Sequence, residues 1–149
     1  MENIFRPADM LLPENSDYSI WSVIACDQFS SEKEYWDRVS EKAENKDSTL
    51  HMIIPEAYLE GIDQQAEAEK RNDVMRKYLE KGVFKTYESS YIYIEREITG
   101  GIIRRGLVGM IDLDEYEYTP GVSAHIKASE RTVEESLHSR IKVRKNSPI

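Results

Sequence analysis

Two β-rich runs joined by Gly100-Gly101 constrain this chain more than any other feature. Residues 90–98 (SYIYIEREI) and 102–113 (IIRRGLVGMIDL) concentrate β-branched and aromatic side chains. The glycines between them accept the positive φ that a tight hairpin turn requires. The pattern predicts an antiparallel hairpin, 90–98 against 102–113. Gly106 and Gly109 bring no side chain to pack, which predicts bulges or close backbone approach inside the second strand.

Helical signals lie upstream. Ser31 followed by Glu34 reads as a capping box, and Trp36, Val39 and Ala43 follow at helical spacing, so a helix is expected over 31–44. A second helix is expected over 62–81. There Val74/Tyr78 and Met75/Leu79 are four apart, and Gly82 suits the position just past the end. Short apolar runs at 20–25 (IWSVIA) and 49–54 (TLHMII) have strand length, the second stopped by Pro55. Ser129 is positioned to cap a short helix with Val133 and Leu137 four apart. The strict alternation Arg140-Ile141-Lys142-Val143-Arg144 predicts a strand with Ile141 and Val143 on one face and three cations on the other. The expected class is α+β (mixed α/β), with about five strands and two main helices in one domain spanning 1–149.

Charge is distributed unevenly. Six cations against three carboxylates from residue 126 onward make that segment +3, which leaves −11 for residues 1–125 of a chain whose formal net charge is −8. A local basic patch on an acidic protein suits a phosphate group better than a nucleic-acid backbone, which the remaining surface repels. No apolar run approaches the roughly 20 residues that span a bilayer, and the charged, proline-broken start lacks a secretory pattern, so a soluble cytoplasmic protein is expected. Cys26 is the single cysteine and there are three histidines, which excludes an intramolecular disulfide and the usual closed zinc sites.

Lys127, Arg131, Arg140, Lys142 and Arg144 are the candidate phosphate-binding residues, the arginine forks matching phosphate oxygens. The same cations equally describe a solvated edge protected from aggregation. Asp27 follows an apolar run, a common place for a functional carboxylate, and Glu130 is a second candidate base. Their structural alternatives are a turn-stabilising aspartate and a glutamate offsetting a helix dipole. His51, His125 and His138 carry weaker claims, without the spacing of a metal site. A carboxylate beside a thiol disfavours the thiolate, so Cys26, next to Asp27, reads as a small core residue. Asp112, Asp114, Glu115 and Glu117 form either a magnesium cluster or, more economically, an acidic surface turn; no metal site is assigned.

The stretch from Ala25 through Glu32 (ACDQFSSE), the run Arg104-Arg105-Gly106-Leu107-Val108-Gly109, and the end from Ser129-Glu130-Arg131-Thr132 to Asn146-Ser147-Pro148-Ile149 resemble the N-terminal half of the proteins grouped as domain of unknown function 1015. The resemblance covers essentially the whole chain and rests on the order and spacing of these pieces. It is similar to the branch common in anaerobic Gram-positive bacteria. Family members are typically more than twice this length, with a Gly-His-His-Arg or Gly-Asn-His element of ParB-like type downstream of the aligned region. The resemblance therefore implies the N-terminal part of a longer protein, completed by a C-terminal half or a second subunit.

ParB-like relatives include kinases of free serine, so the resemblance also implies an ATP-dependent kinase acting on serine or a similar small hydroxy compound, with ATP and Mg2+ as cofactors. Asp27 aligns with the aspartate of the family's Tyr-Asp-Val segment and Glu130 with the glutamate of its His-Glu-x-Thr segment. Phosphoryl transfer needs cations at the phosphates and a carboxylate to orient the attacking hydroxyl, roles those residues supply. The alternative is a non-catalytic, partner-dependent module with an exposed apolar surface at Ile141, Val143 and Ile149. Nucleic-acid binding ranks third, and no membrane partner is expected.

Overall fold

The computed structural model describes residues 4–24, 29, 31–127 and 134–149. The chain divides into two compact units, one of Met1–Leu12 with Lys85–Arg131 and the other of Pro13–Phe84 with Thr132–Ile149. Helices and short strand pairs together make the α+β class expected from the pattern.

The second unit is helical. Among the described residues its helices are α1 (Tyr18–Trp21), α2 (Lys33–Ala43), α3 (Gln64–Glu80) and α4 (Glu134–Lys145). The α3 helix starts because the Asp63 carboxylate accepts from the Gln65 and Ala66 amides at 3.0 and 3.2 Å. It ends at Gly82, whose φ of +68° is cheap only for glycine. Ala68, Asn72, Met75 and Tyr78 form its buried stripe. The α2 helix lies within the expected span, but the capping box does not form. Glu32, not Ser31, occupies the cap position and makes no side-chain bond there.

Two expected strands are instead helical turns. In the described part of 20–25, Ile20 and Trp21 complete α1, started by Asp17 accepting from the Ser19 amide at 3.0 Å. Residues Thr49–Met52 form a 3-10 turn capped by Ser48. The reason lies in tertiary bonds. Fully buried Ser48 donates its hydroxyl to the Ile20 carbonyl at 2.8 Å, while its amide donates to the Tyr78 hydroxyl at 3.0 Å. These bonds hold 48–52 against α1 and α3, leaving no open ladder for a strand to join. Trp36, Ala43 and Leu50 form one buried cluster, and Trp21, Tyr78 and Val83 another.

The expected strand over 140–144 is likewise absent, and these residues form the last part of α4. Val143 packs with Ala68 and Met75 of α3, whereas Ile141 is 56% exposed. A helix turns about 100° per residue, so positions two apart face nearly opposite ways. The apolar surface expected at Ile141, Val143 and Ile149 is thus reduced to Ile141, since Ile149 also packs against this cluster.

The first unit is built from short ladders. Here β1 (Phe5–Arg6) pairs antiparallel with β6 (Met110–Ile111), and β4 (Ile92–Ile98) pairs antiparallel with β5 (Ile102–Val108). The parallel pair is β7 (Tyr116–Glu117) with β8 (Ile126–Lys127), and β2 (Ala8–Pro13) pairs with β3 (Phe84–Ser90). The predicted hairpin is present with its turn at Gly100-Gly101, but its second strand breaks at Gly109. A Cβ there would lie 2.7 Å from the Arg6 carbonyl oxygen and 2.8 Å from the Phe5 ring. Gly109 is the close approach expected from sequence. Gly106 instead faces open space. Among the described residues no helix is long and apolar enough to cross a membrane.

Candidate phosphate-binding cleft

The α4 helix presents His138, Ile141, Lys142 and Lys145 at i, i+3, i+4 and i+7, which places them on one face. These four line a cavity of about 320 Å³ with Gln65 from the first turn of α3 and Asn146 just past the end of α4. Its polar side chains are two ammonium groups, an imidazole and two carboxamides. Among the described residues no carboxylate lines it. Lys142 Nζ donates to the neutral Gln64 Oε1 at 3.2 Å, so that bond leaves its charge uncompensated. Neither Lys142 nor Lys145 pairs with a carboxylate among the described residues.

Part of this charge has a purely structural explanation. Lys142, Arg144 and Lys145 occupy the last turn of α4, where cations offset the partial negative charge of the exposed carbonyls. That interaction is worth roughly 0.3–1 kcal/mol for each cation and explains their presence near the helix end. It does not explain why two lysines share one face with His138, Gln65 and Asn146. A convergent set of donors around an open cavity of this size has the room and the chemistry that an anion of phosphate size requires.

The expected phosphate-binding residues do not all meet here. Lys142 lines the cleft, but Arg140 lies off its lining and pairs with Glu56 at 3.1 Å. Arg144, four residues after Arg140, shares that flank of the helix. Lys127 is in β8 of the other unit. Arg131, Asp27 and Glu130 lie outside the described residues, as does Cys26. Reading 140–144 as a strand grouped the three cations on one face. The helical period separates Lys142 from the two arginines and joins it to His138 and Lys145, a spacing visible in the sequence once a helix is assumed.

A second polar constellation belongs to the first unit. His125 Nδ1 lies 2.6 Å from Glu115 Oε2, an arrangement in which the carboxylate fixes the ring and turns Nε2 outward. Both groups are largely exposed, so this is an oriented surface imidazole and not an enclosed site. The acidic turn at 112–117 is distributed among separate partners. Asp112 accepts from Arg6 at 2.9 Å, and Glu117 accepts from both the amide and hydroxyl of Thr119 at 2.8 Å. Those Thr119 bonds hold the Glu117 carboxyl below its ordinary pKa. Among the described residues no group of three or more His, Cys, Asp or Glu is placed to hold a metal ion. His51 is similarly occupied, its Nε2 lying 3.2 and 3.1 Å from the carbonyls of Ala43 and Lys46.

Fold and site define an α+β protein with a donor-lined cleft on its C-terminal helix. The chain belongs to the family described as protein of unknown function (DUF1015), whose model matches residues 5–149. No curated protein and no solved structure matches it.

Proposed function

We propose that this chain supplies a phosphate-binding face to an ATP-dependent kinase acting on free serine or a similar small hydroxy compound. The observation that carries the reading is the convergence of Lys142, Lys145, His138, Asn146 and Gln65 on one cleft, with no carboxylate in its lining among the described residues. In this role the lysines neutralise phosphate oxygens, and the carboxamides and imidazole fix their orientation. Asp27 and Glu130 are the proposed orienting or base carboxylates, and Lys127 and Arg131 the proposed further cations, all on the strength of the family resemblance. Arg144 contributes positive potential from the flank of α4, where Glu56 offsets the charge of Arg140. ATP and Mg2+ are the proposed cofactors, with the metal delivered on the nucleotide.

The test is calorimetric titration of the chain with ATP and, separately, pyrophosphate, followed by a serine-dependent ADP-release assay. Saturable binding of both ligands, weakened about tenfold or more by Lys142→Glu with Lys145→Glu, is expected. Binding unchanged by that double reversal removes the cleft from the reading. Binding without ADP release in the presence of serine favours the second reading, a non-catalytic, partner-dependent module. One observation specifically supports that alternative: the β4–β5 hairpin leaves Tyr93, Ile102, Ile103 and Leu107 exposed.

A further inference from the structure

The register of the β4–β5 ladder sets Arg96 directly opposite Arg104. Cross-strand partners share a face, and like charges so placed destabilise a two-stranded ribbon. The neighbouring pair is resolved differently, for Arg105 meets Glu95 at 3.1 Å on the other face. Among the described residues Arg96 and Arg104 have no such partner. Alternation places Ile92, Ile94, Ile98, Ile102 and Val108 around the two arginines on that same face. Ile102 is 60% exposed and Ile94 and Val108 are 39% exposed, an unusual amount of open apolar surface for a ribbon of two strands.

The outer edge of β5 adds a second requirement. Among the described residues β5 pairs only with β4, so its other edge presents unpaired backbone N–H and C=O groups along seven residues. The only charged side chains on β5 are Arg104 and Arg105. We propose that β5 receives an extended acidic–apolar polypeptide segment as a third strand, placing a carboxylate beside Arg104 within reach of Arg96. An arginine pair grips one carboxylate through paired N–H donors, which turns the repulsive juxtaposition into a binding feature. Alternate apolar residues of the segment cover Ile102 and Val108, and its backbone satisfies the strand edge. A lipid surface offers the negative charge but not the ladder of backbone donors and acceptors. A second copy joining β5 to β5 in antiparallel register about Arg104 sets cations beside cations. This inference is independent of the phosphate-binding reading, whose cleft is lined from α3 and α4.

The test uses the full chain and a fluorescein-labelled peptide as long as β5, alternating threonine and valine, with valines on the same face as a glutamate placed opposite Arg104 when the two strands are in register. Anisotropy should show saturable binding, and amide shifts should centre on residues 102–108. Replacing the peptide's glutamate by lysine should weaken binding to the wild-type chain about tenfold, and Arg104→Glu should restore it for the lysine peptide. The lysine peptide on the wild-type chain tests the charge requirement even if the variant fails to fold. Absence of binding, or equal binding of the glutamate and lysine peptides, overturns the proposal. Stronger shifts of the same amides with phosphatidylserine vesicles overturn it in favour of a membrane. Concentration-dependent dimers in sedimentation that disappear with Arg104→Glu overturn it in favour of a second copy.

Discussion

Replacing Val143 by alanine removes two methyl groups from a side chain only 9% exposed, packed with Ala68 and Met75 across the α3–α4 contact. At about 0.8 kcal/mol per buried methylene, the transfer loss is about 1.6 kcal/mol, and incomplete closure of the space raises the total to about 2 kcal/mol. Ile141→Ala is the matched control. Ile141 is 56% exposed, and alanine's better helix propensity offsets part of the small packing loss, so its expected effect is within about 0.5 kcal/mol. A strand over 140–144 would instead put both residues on one face and make both substitutions comparably costly. Urea unfolding followed by tryptophan fluorescence separates these outcomes, because Trp21 and Trp36 both report on the helical unit. With a urea slope of about 2 kcal/mol/M, the Val143 variant should lose about 1 M in midpoint. Equal losses at the two positions, or a larger loss at Ile141, would refute the helical placement.

Gly109→Ala should destabilise the β-rich unit by roughly 1–3 kcal/mol, since its Cβ meets the Arg6 backbone oxygen as well as the Phe5 ring; thermal unfolding by circular dichroism reads the loss. The same change at Gly106, which has open space around it, should cost much less. A pH effect is expected at Glu67. Its hydrogen bond from Lys70, followed by the nearby charge of Arg71, holds the carboxyl below the ordinary 4.5. A depressed folded-state pKa means the contribution is present above about pH 4.5 and is lost as pH falls through the folded value. Glu67→Gln should therefore flatten part of the acid limb of a stability–pH curve, and an unchanged limb would show that this carboxylate does not contribute.

The hairpin and α3 were legible because each is specified locally. Gly100-Gly101 marks the turn, while Asp63 and Gly82 mark the ends of the helix. The capping box at Ser31 misled because the helix begins two residues later, with Glu32 in the cap position. The runs at 20–25 and 49–54 were ambiguous for another reason. Short apolar segments do not reveal their period, and what decided them was Ser48 bonding to the Ile20 carbonyl 28 residues away. The strands β1 and β2 escaped notice because their partners are distant in sequence, as with Phe5 opposite Ile111.

The candidate cleft was half visible. Basic charge near the C-terminus pointed to α4, but a five-residue alternation concealed the spacing of His138, Lys142 and Lys145. The cations chosen from the assumed strand include Arg140, which Glu56 engages instead. The Arg96–Arg104 juxtaposition was not legible, because Ile98 faces Ile102 across Thr99, Gly100 and Gly101, and a two-residue turn at the glycines alone would set Arg96 opposite Arg105 instead.

The most direct test of the proposed function is a nitrogen-15 NMR titration of the chain with pyrophosphate. Shifts concentrated at Gln65, His138, Ile141, Lys142, Lys145 and Asn146 are the predicted result, since these residues line the cleft. No saturable shift, or shifts confined to β7 and β8, would contradict phosphate binding at α4.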